Sequence, residues 1–205
     1  MTERLVLATR NAHKVEELAE ILGAAGLEFE LVPLPDDAPD VVEDGLTFAE
    51  NALKKARSAT AATGLPSVAD DSGLCVDALN GMPGVFSARW AGTGHDDAAN
   101  LALVLEQTAD VPDESRGAHF TCAAAVVLPS GEERVVEGRV DGVLIRTPRG
   151  TGGFGYDPAF VPLGHDRTTA EMSNDEKNAI SHRGEAFRAL APVLRDLLGS
   201  HPRTQ

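Results

Sequence analysis

Residues 118–145 read AHFTCAAAVVLPSGEERVVEGRVDGVLI. Two long runs of extended-favouring residues flank Pro129-Ser130-Gly131, and this predicts two long antiparallel strands joined by a tight turn. Such strands need a sheet to pair in, and the rest of the chain must cover it. RLVLA (4–8) reads as a buried strand, followed at once by the polar turn TRNAHK. A helix comes next, with Val15, Leu18, Ala19 and Leu22 on one apolar face and Gly23 and Gly26 as stop signals. A second helix begins at the capping box Thr47-x-x-Glu50 and continues through an Ala-rich run. PSVADDSGL (66–74) reads as a short strand ending in an acidic turn. The last helix carries Phe187, Leu190, Ala191, Leu194 and Leu198 on one side, and Pro192 inside it predicts a kink or break. Strands and helices mix without strict alternation, which predicts an α/β or α+β domain with a mixed, partly antiparallel sheet.

Length and charge narrow the function. The 205 residues suffice for one domain with a sizeable core, or one domain with two lobes. Loops are expected at 33–40, 91–100 and 108–118, the latter two with room for short helical turns, and residues 200–205 form a frayed tail. No stretch of roughly 20 apolar residues occurs, so no membrane span is expected. The N-terminal apolar run is too short for a secretory signal, and the expected location is cytoplasmic. Cys75 and Cys122 lie in apolar surroundings and read as buried free thiols. A net charge of −14 disfavours nucleic acid. A small anionic ligand would need locally concentrated Lys and Arg, or a metal.

Several segments supply such groups. ATRNAHK (8–14) lies where a strand meets a helix N-terminus, a place where backbone N–H groups and the helix dipole favour anions. Thr9, Asn11 and Lys14 suit a phosphate there; equally, Thr or Asn caps the helix and the lysine is solvated. On the second helix Lys55 falls inside the stripe formed by Phe48, Ala52 and Ala59, whereas Lys54 falls off it. A lysine on that side faces an anion or snorkels to a rim. Glu43, Asp44, Asp70 and Asp71 are assigned to turns. Adjacent Asp70 and Asp71 at a strand end point to different sides and take different roles. They suit a hard cation such as Mg²⁺, or they cap turns. Lys177, His182 and Arg183 cluster around an apparent break before the last helix, as a polar-ligand site or a solvated basic patch.

GTGGFGYDPAF (150–160) places glycines around Phe154, Tyr156 and Asp157. Two readings stand: a flat ring lying on Phe154 with the glycine backbone at its edge, or a glycine-rich turn with packed aromatics. Aromatic platform, phosphate-type sites and hard-metal acids together suggest a nucleoside triphosphate.

With those residues in view, the chain resembles the inosine triphosphate pyrophosphatase family, which hydrolyses non-standard purine nucleoside triphosphates. The resemblance runs through LATRNAHKVEEL, EDGLTFAENALKKA, ADDSGLCVDALNGMPGVFSARWAG, GTGGFGYDPAF and AEMSNDEKNAISHRGEA, in the family's order. It implies a two-lobed single α/β domain over 1–205, with a long curved mixed sheet flanked by helices and the active site in a cleft between lobes. It also implies a homodimer, Mg²⁺, and cleavage of ITP, dITP and XTP between the α and β phosphates. By resemblance Thr9, Arg10, Asn11, Ala12, His13, Lys14 and Lys55 form the triphosphate cradle. Glu43 and Asp71 are metal ligands, with Asp71 also the general base, and Lys14 and Lys55 assist catalysis. Ser72 contacts substrate, and Phe154, Gly155, Tyr156, Asp157, Lys177, His182 and Arg183 form the base and sugar pocket. Family members often carry glycines where this chain has Arg10 and His13, which offers Arg10 as an added phosphate contact; Met172-Ser173 replaces a commoner Leu-Thr pair. Two rivals stay open: a related pyrophosphatase of different base preference, and a non-catalytic nucleotide sensor.

Overall fold

The structure is a computed structural model and describes residues 3–10, 12–26 and 29–199. Asn11 and the expected tail 200–205 lie outside those residues, as do the side chains of Ala12 and His13. The strands are β1 (Glu3–Leu7), β2 (Phe29–Pro33), β3 (Ser67–Val76), β4 (Met82–Pro83), β5 (Gly117–Val127), β6 (Glu133–Leu144) and β7 (Phe160–Pro162). The helices are α1 (Ala12–Ala24), α2 (Phe48–Thr63), α3 (Asp97–Gln107), α4 (Asn174–Ile180) and α5 (His182–Gly199). One mixed seven-stranded sheet runs in the order β2-β1-β3-β5-β6-β7, with β4 paired to β3, and helices flank it. β1 is parallel to β2 and β3, whereas β6 is antiparallel to β7. No helix among the described residues is long and apolar enough to cross a membrane.

The strong local signals hold. Leu128 accepts the Gly131 N–H and donates to Glu132, closing the β5–β6 turn where Pro129-Ser130-Gly131 predicts it. Thr47 caps α2 by accepting from the Glu50 N–H at 3.1 Å, but the Glu50 carboxylate turns back to the Leu46 N–H at 2.6 Å and not to Thr47. β3 departs from expectation: it does not stop at its acids but runs on to Val76. α1 passes Gly23 by one residue and ends at Ala24, just before Gly26 at φ +71°, and α5 continues through Pro192 without a break. α3 begins inside the 91–100 stretch read as loop and runs on to Gln107, with Asp96 capping it through the Ala99 N–H.

The chain divides into two compact units, 1–71 with 122–138 and 183–205, and 72–121 with 139–182. In the first, strand alternation sorts the core into two layers. Leu5, Leu7, Val68, Cys122, Ala124 and Val126 pack with Leu18 and Leu22 of α1 and Phe187, Leu190 and Leu194 of α5. Val6, Ala69, Ala123 and Ala125 pack with Ala52, Ala56 and Ala59 of α2. The second unit has its own core, built around Leu74, Val76, Phe120, Tyr156 and Phe160.

The alternation extends into the charged part of β3. Asp70 follows the parity of Val68, toward α1 and α5. It is 3% exposed, 3.0 Å from Lys14 Nζ and 3.2 Å from Arg183 Nε. Burial opposes its charge, but Lys14, Arg183 and Lys55 outweigh burial and hold the carboxyl well below the ordinary range. A carboxyl lowered in this way stabilises the fold above pH ~4, and the contribution disappears as pH falls further. Asp70→Asn leaves two cations short of a buried partner, and it is expected to cost about 3 kcal/mol at pH 7. Urea denaturation across pH checks this: the gap from wild type should narrow below pH ~4, where wild type loses the same contribution.

Candidate active site

In the first unit a cavity of about 410 Å³ is walled by Thr9, Arg10, Lys14, Asp40, Glu43, Lys55 and Asp70. Lys55 reaches it because it shares the buried side of α2 with Ala52 and Ala59, while Lys54 pairs with Asp44 on the exposed side. The Lys55 ammonium lies 3.2 Å from Glu43 Oε1 and 3.3 Å from Asp71 Oδ1. Burial pulls its pKa down, but Asp71, Asp70 and Glu43 outweigh burial and the net shift is upward. Lys55 is therefore ion-paired, and the charge adds to stability at neutral pH.

Asp71 follows the parity of Ala69, toward α2. Asn51, fully buried on α2, donates to its Oδ2 at 3.1 Å and accepts the Gly45 N–H at 2.8 Å. One side chain thus joins the strand acid to the loop that carries Glu43. Burial raises the Asp71 pKa, Lys55 lowers it and Glu43 raises it again, leaving it above the ordinary value. Two neighbouring carboxyls on one strand are driven in opposite directions, Asp70 down and Asp71 up, a divergence that suits two different roles. Glu43 and Asp71 share one cation and repel each other, so an added positive charge is favourable between them. Two hard-oxygen ligands are also what Mg²⁺ commonly takes from protein when substrate phosphates and water complete its shell. The donor set fits the ion.

Arg10 is committed to the protein: Nη1 donates to Asp40 Oδ1 and Nη2 to the Ala38 carbonyl, each at 2.7 Å. Arg183 is almost fully buried and pairs with Asp70.

The second unit holds the other group. Asp157, 4% exposed, accepts from the Phe154 N–H at 2.9 Å, Lys177 Nζ at 2.7 Å and Thr169 Oγ1 at 2.8 Å. Lys177 also sits 4.8 Å from the centroid of the Phe154 ring, a cation–π distance, and that ring is half exposed. Asp97 accepts the Gly155 N–H at 3.0 Å. His182 stacks on Phe120 at 4.9 Å and, with Lys177, Asp157 and Ser181, lines a small cavity of about 10 Å³. Tyr156 is buried and its hydroxyl donates to the Ser87 carbonyl at 2.7 Å, so its ring serves packing. Ser72 is half buried in β3.

Gly150, Gly152 and Gly153 answer to protein neighbours. Gly150 has φ +85°, and a Cβ there would lie 2.6 Å from the Ala170 carbonyl. Gly153 has φ +68°, and its Cβ would overlap the Asp157 carboxylate. The backbone close to this turn is that of Ala170, and the turn holds Phe154 outward.

Sequence reasoning misses Asn51, Asp40, Asp97 and Thr169. Only Asn51 leaves a trace: a polar residue four positions before Lys55 on an alanine-lined helix face.

The model of the Ham1 family matches residues 5–193. A dITP/XTP pyrophosphatase of Streptomyces coelicolor is 64% identical, over 96% of this chain and 99% of that protein. One from Frankia alni is 59% identical, over 96% and 100%. Among solved structures, a HAM1 protein from Coxiella burnetii is similar with a TM-score of 0.88 at 44% identity, covering 95% of this chain and 100% of that one. A nucleoside-triphosphatase / dITP/XTP pyrophosphatase from Mycobacterium abscessus gives 0.78 at 55% identity, covering 94% and 100%. A family model spanning nearly the whole sequence, and relatives alike from end to end, establish what the five sequence blocks imply: the chain belongs to the Ham1 family.

Proposed function

We propose that the protein hydrolyses non-standard purine nucleoside triphosphates, ITP, dITP and XTP, to the monophosphate and pyrophosphate. The observation that carries this is the pair of adjacent carboxyls: Asp70 fixed as a counter-ion, Asp71 raised and placed against Lys55 and Glu43. The names of the relatives supply the substrate class. The cavity of the first unit takes the triphosphate, with Thr9, Lys14 and Lys55 as its cradle. Glu43 and Asp71 would hold Mg²⁺, which when bound neutralises phosphate charge and orients the attacking water. Asp71 accepts the proton of that water as oxygen adds to phosphorus and the α–β anhydride bridge breaks. Lys14 and Lys55 stabilise the departing pyrophosphate. Phe154 stacks on the purine, and Lys177 and His182 donate to its edge. A donor suits the 6-keto oxygen of hypoxanthine or xanthine and meets a donor on the 6-amino group of adenine. The base-reading role considered for Arg183 passes to these two, because Arg183 serves Asp70.

Pyrophosphate release over a substrate panel tests the reading. ITP, dITP and XTP should turn over well, ATP and GTP at least about 10²-fold less well, and chelation of Mg²⁺ should abolish all activity. Phe154→Ala should weaken every purine alike by about tenfold, leaving the ITP-to-ATP ratio in place. Comparable release from ATP and ITP would defeat the assignment.

Asp71→Asn removes a charge that the fold disfavours. Turnover should fall about 10²–10⁴-fold while the metal-free melting temperature holds or rises. A fall in melting temperature with turnover preserved would show a structural acid instead.

Lys55→Met is expected from the helix stripe alone to leave stability unchanged or raised. The ion pairs reverse that expectation. The raised Lys55 pKa means its charge stabilises the fold below its ordinary pKa of 10.5, so the loss is present at pH 7. The variant should melt lower than wild type and gain more than wild type on adding Mg²⁺, which relieves the repulsion between Glu43 and Asp71. Calorimetry with and without Mg²⁺ measures both.

A further inference from the structure

Glu43 sits in the long connection between β2 and α2, residues 34–47, which has no regular structure to hold it. Downstream of Glu43 the segment is fastened to α2: the Gly45 N–H to Asn51, the Leu46 N–H to Glu50, and Asp44 to Lys54. Upstream, Arg10 reaches across from the loop that follows β1 and takes both the Ala38 carbonyl and the Asp40 carboxylate. We infer that Arg10 is a positioning residue for Glu43, a planar clamp that fixes the upstream half of the 34–47 segment and so holds the Glu43 carboxylate beside Lys55 and the cavity.

The chemistry favours a clamp over a phosphate contact. Guanidinium is a rigid fork, suited to two acceptors at a fixed separation. Here its two acceptors belong to residues 38 and 40, and both Nη atoms are engaged by protein. Asp40 already balances the guanidinium charge, so a phosphate would compete with Asp40 for it. The Asp40 side chain is 90% exposed and that of Arg10 52%, and so exposed a pair adds little to global stability. What it restricts is local freedom: with the clamp open, residues 38–43 move about the anchor at 44–46. The inference rests on Glu43 being a metal ligand in the reaction proposed above, but the clamp itself is testable without turnover.

Two measurements decide it, on wild type, Arg10→Ala, Asp40→Asn and the double variant. Hydrogen exchange of the metal-free protein reads the clamp. The Ala38 amide, which donates to the Pro35 carbonyl, should exchange about three- to tenfold faster in each variant, the size of one ordinary net hydrogen bond, with the amides of α2 unaltered. The Mg²⁺ concentration giving half-maximal pyrophosphate release should rise by a similar factor in each single variant and no further in the double. Unaltered exchange in Arg10→Ala overturns the clamp, whatever the activity. Weakened substrate binding in Arg10→Ala with none in Asp40→Asn makes Arg10 a phosphate ligand and overturns it as well. A wild-type protein that releases no pyrophosphate from any nucleotide defeats the proposed function, while the exchange result still judges the clamp.

Discussion

The pleat of β3 is the constraint on which the first unit depends. Val68, Ala69, Asp70 and Asp71 follow one another on one strand, so apolar and acidic side chains leave it alternately on each side. Val68 and Asp70 face α1 and α5; Ala69 and Asp71 face α2. Each carboxylate is thereby delivered to a different helix environment without any loop. A shift of β3 by one residue would exchange the two acids and bury each against the wrong partners. The hydrophobic register that builds the core therefore also fixes which acid meets Lys14 and Arg183 and which meets Lys55 and Asn51.

The second unit reaches a comparable end by different means. Its half-exposed Phe154 is presented by a turn whose shape depends on one carboxylate. Asp157 is buried and accepts from the backbone at Phe154, from Lys177 and from Thr169, so it fixes the turn and places a cation over the ring together. The crowding that excludes side chains at Gly150 and Gly153 comes from Ala170 and from Asp157 itself. A glycine-rich sequence around an aromatic is thus explained by close protein packing. The presentation of Phe154 is what leaves room for stacking.

How far the sequence discloses all this depends on the range of each interaction. Period-2 and period-3.6 patterns are local, so β1, β5, β6, α1, α2 and α5 are legible, as is the opposite orientation of Asp70 and Asp71. Lys55 against Lys54 is legible for the same reason. Limits of elements are less so. The acids of β3 read as a turn because charge is rare inside a buried strand, and only the partners Lys14, Arg183, Lys55 and Asn51, distant in sequence, make the continuation tolerable. Likewise Pro192 does not end α5, whose Phe187, Leu190 and Leu194 are locked into the core on both sides of the proline's turn. Tertiary contacts also engage Arg10, Arg183 and Tyr156: each has a side chain suited to a ligand and each meets a protein group that no local pattern reveals.

The charge balance of the first cavity bears on the whole acidic chain. Arg10, Lys14 and Lys55 line it, and so do Asp40, Glu43 and Asp70. Every one of these cations is already paired, Arg10 with Asp40, Lys14 with Asp70, and Lys55 with Glu43 and Asp71. Such a site is organised before ligand arrives, because the cations are held in place and need no reorganisation. It is also close to neutral, inside a protein of net charge −14. A bare polyphosphate would gain little on entering, since its attraction to the lysines is offset by repulsion from their partners. A polyphosphate arriving with a divalent cation would change the sum: Glu43 and Asp71 would share their charge with the cation, leaving more of the lysines' charge for phosphate. This supports the metal-assisted reading on electrostatic grounds independent of any relative, and in that reading a strongly acidic chain can take a highly anionic substrate.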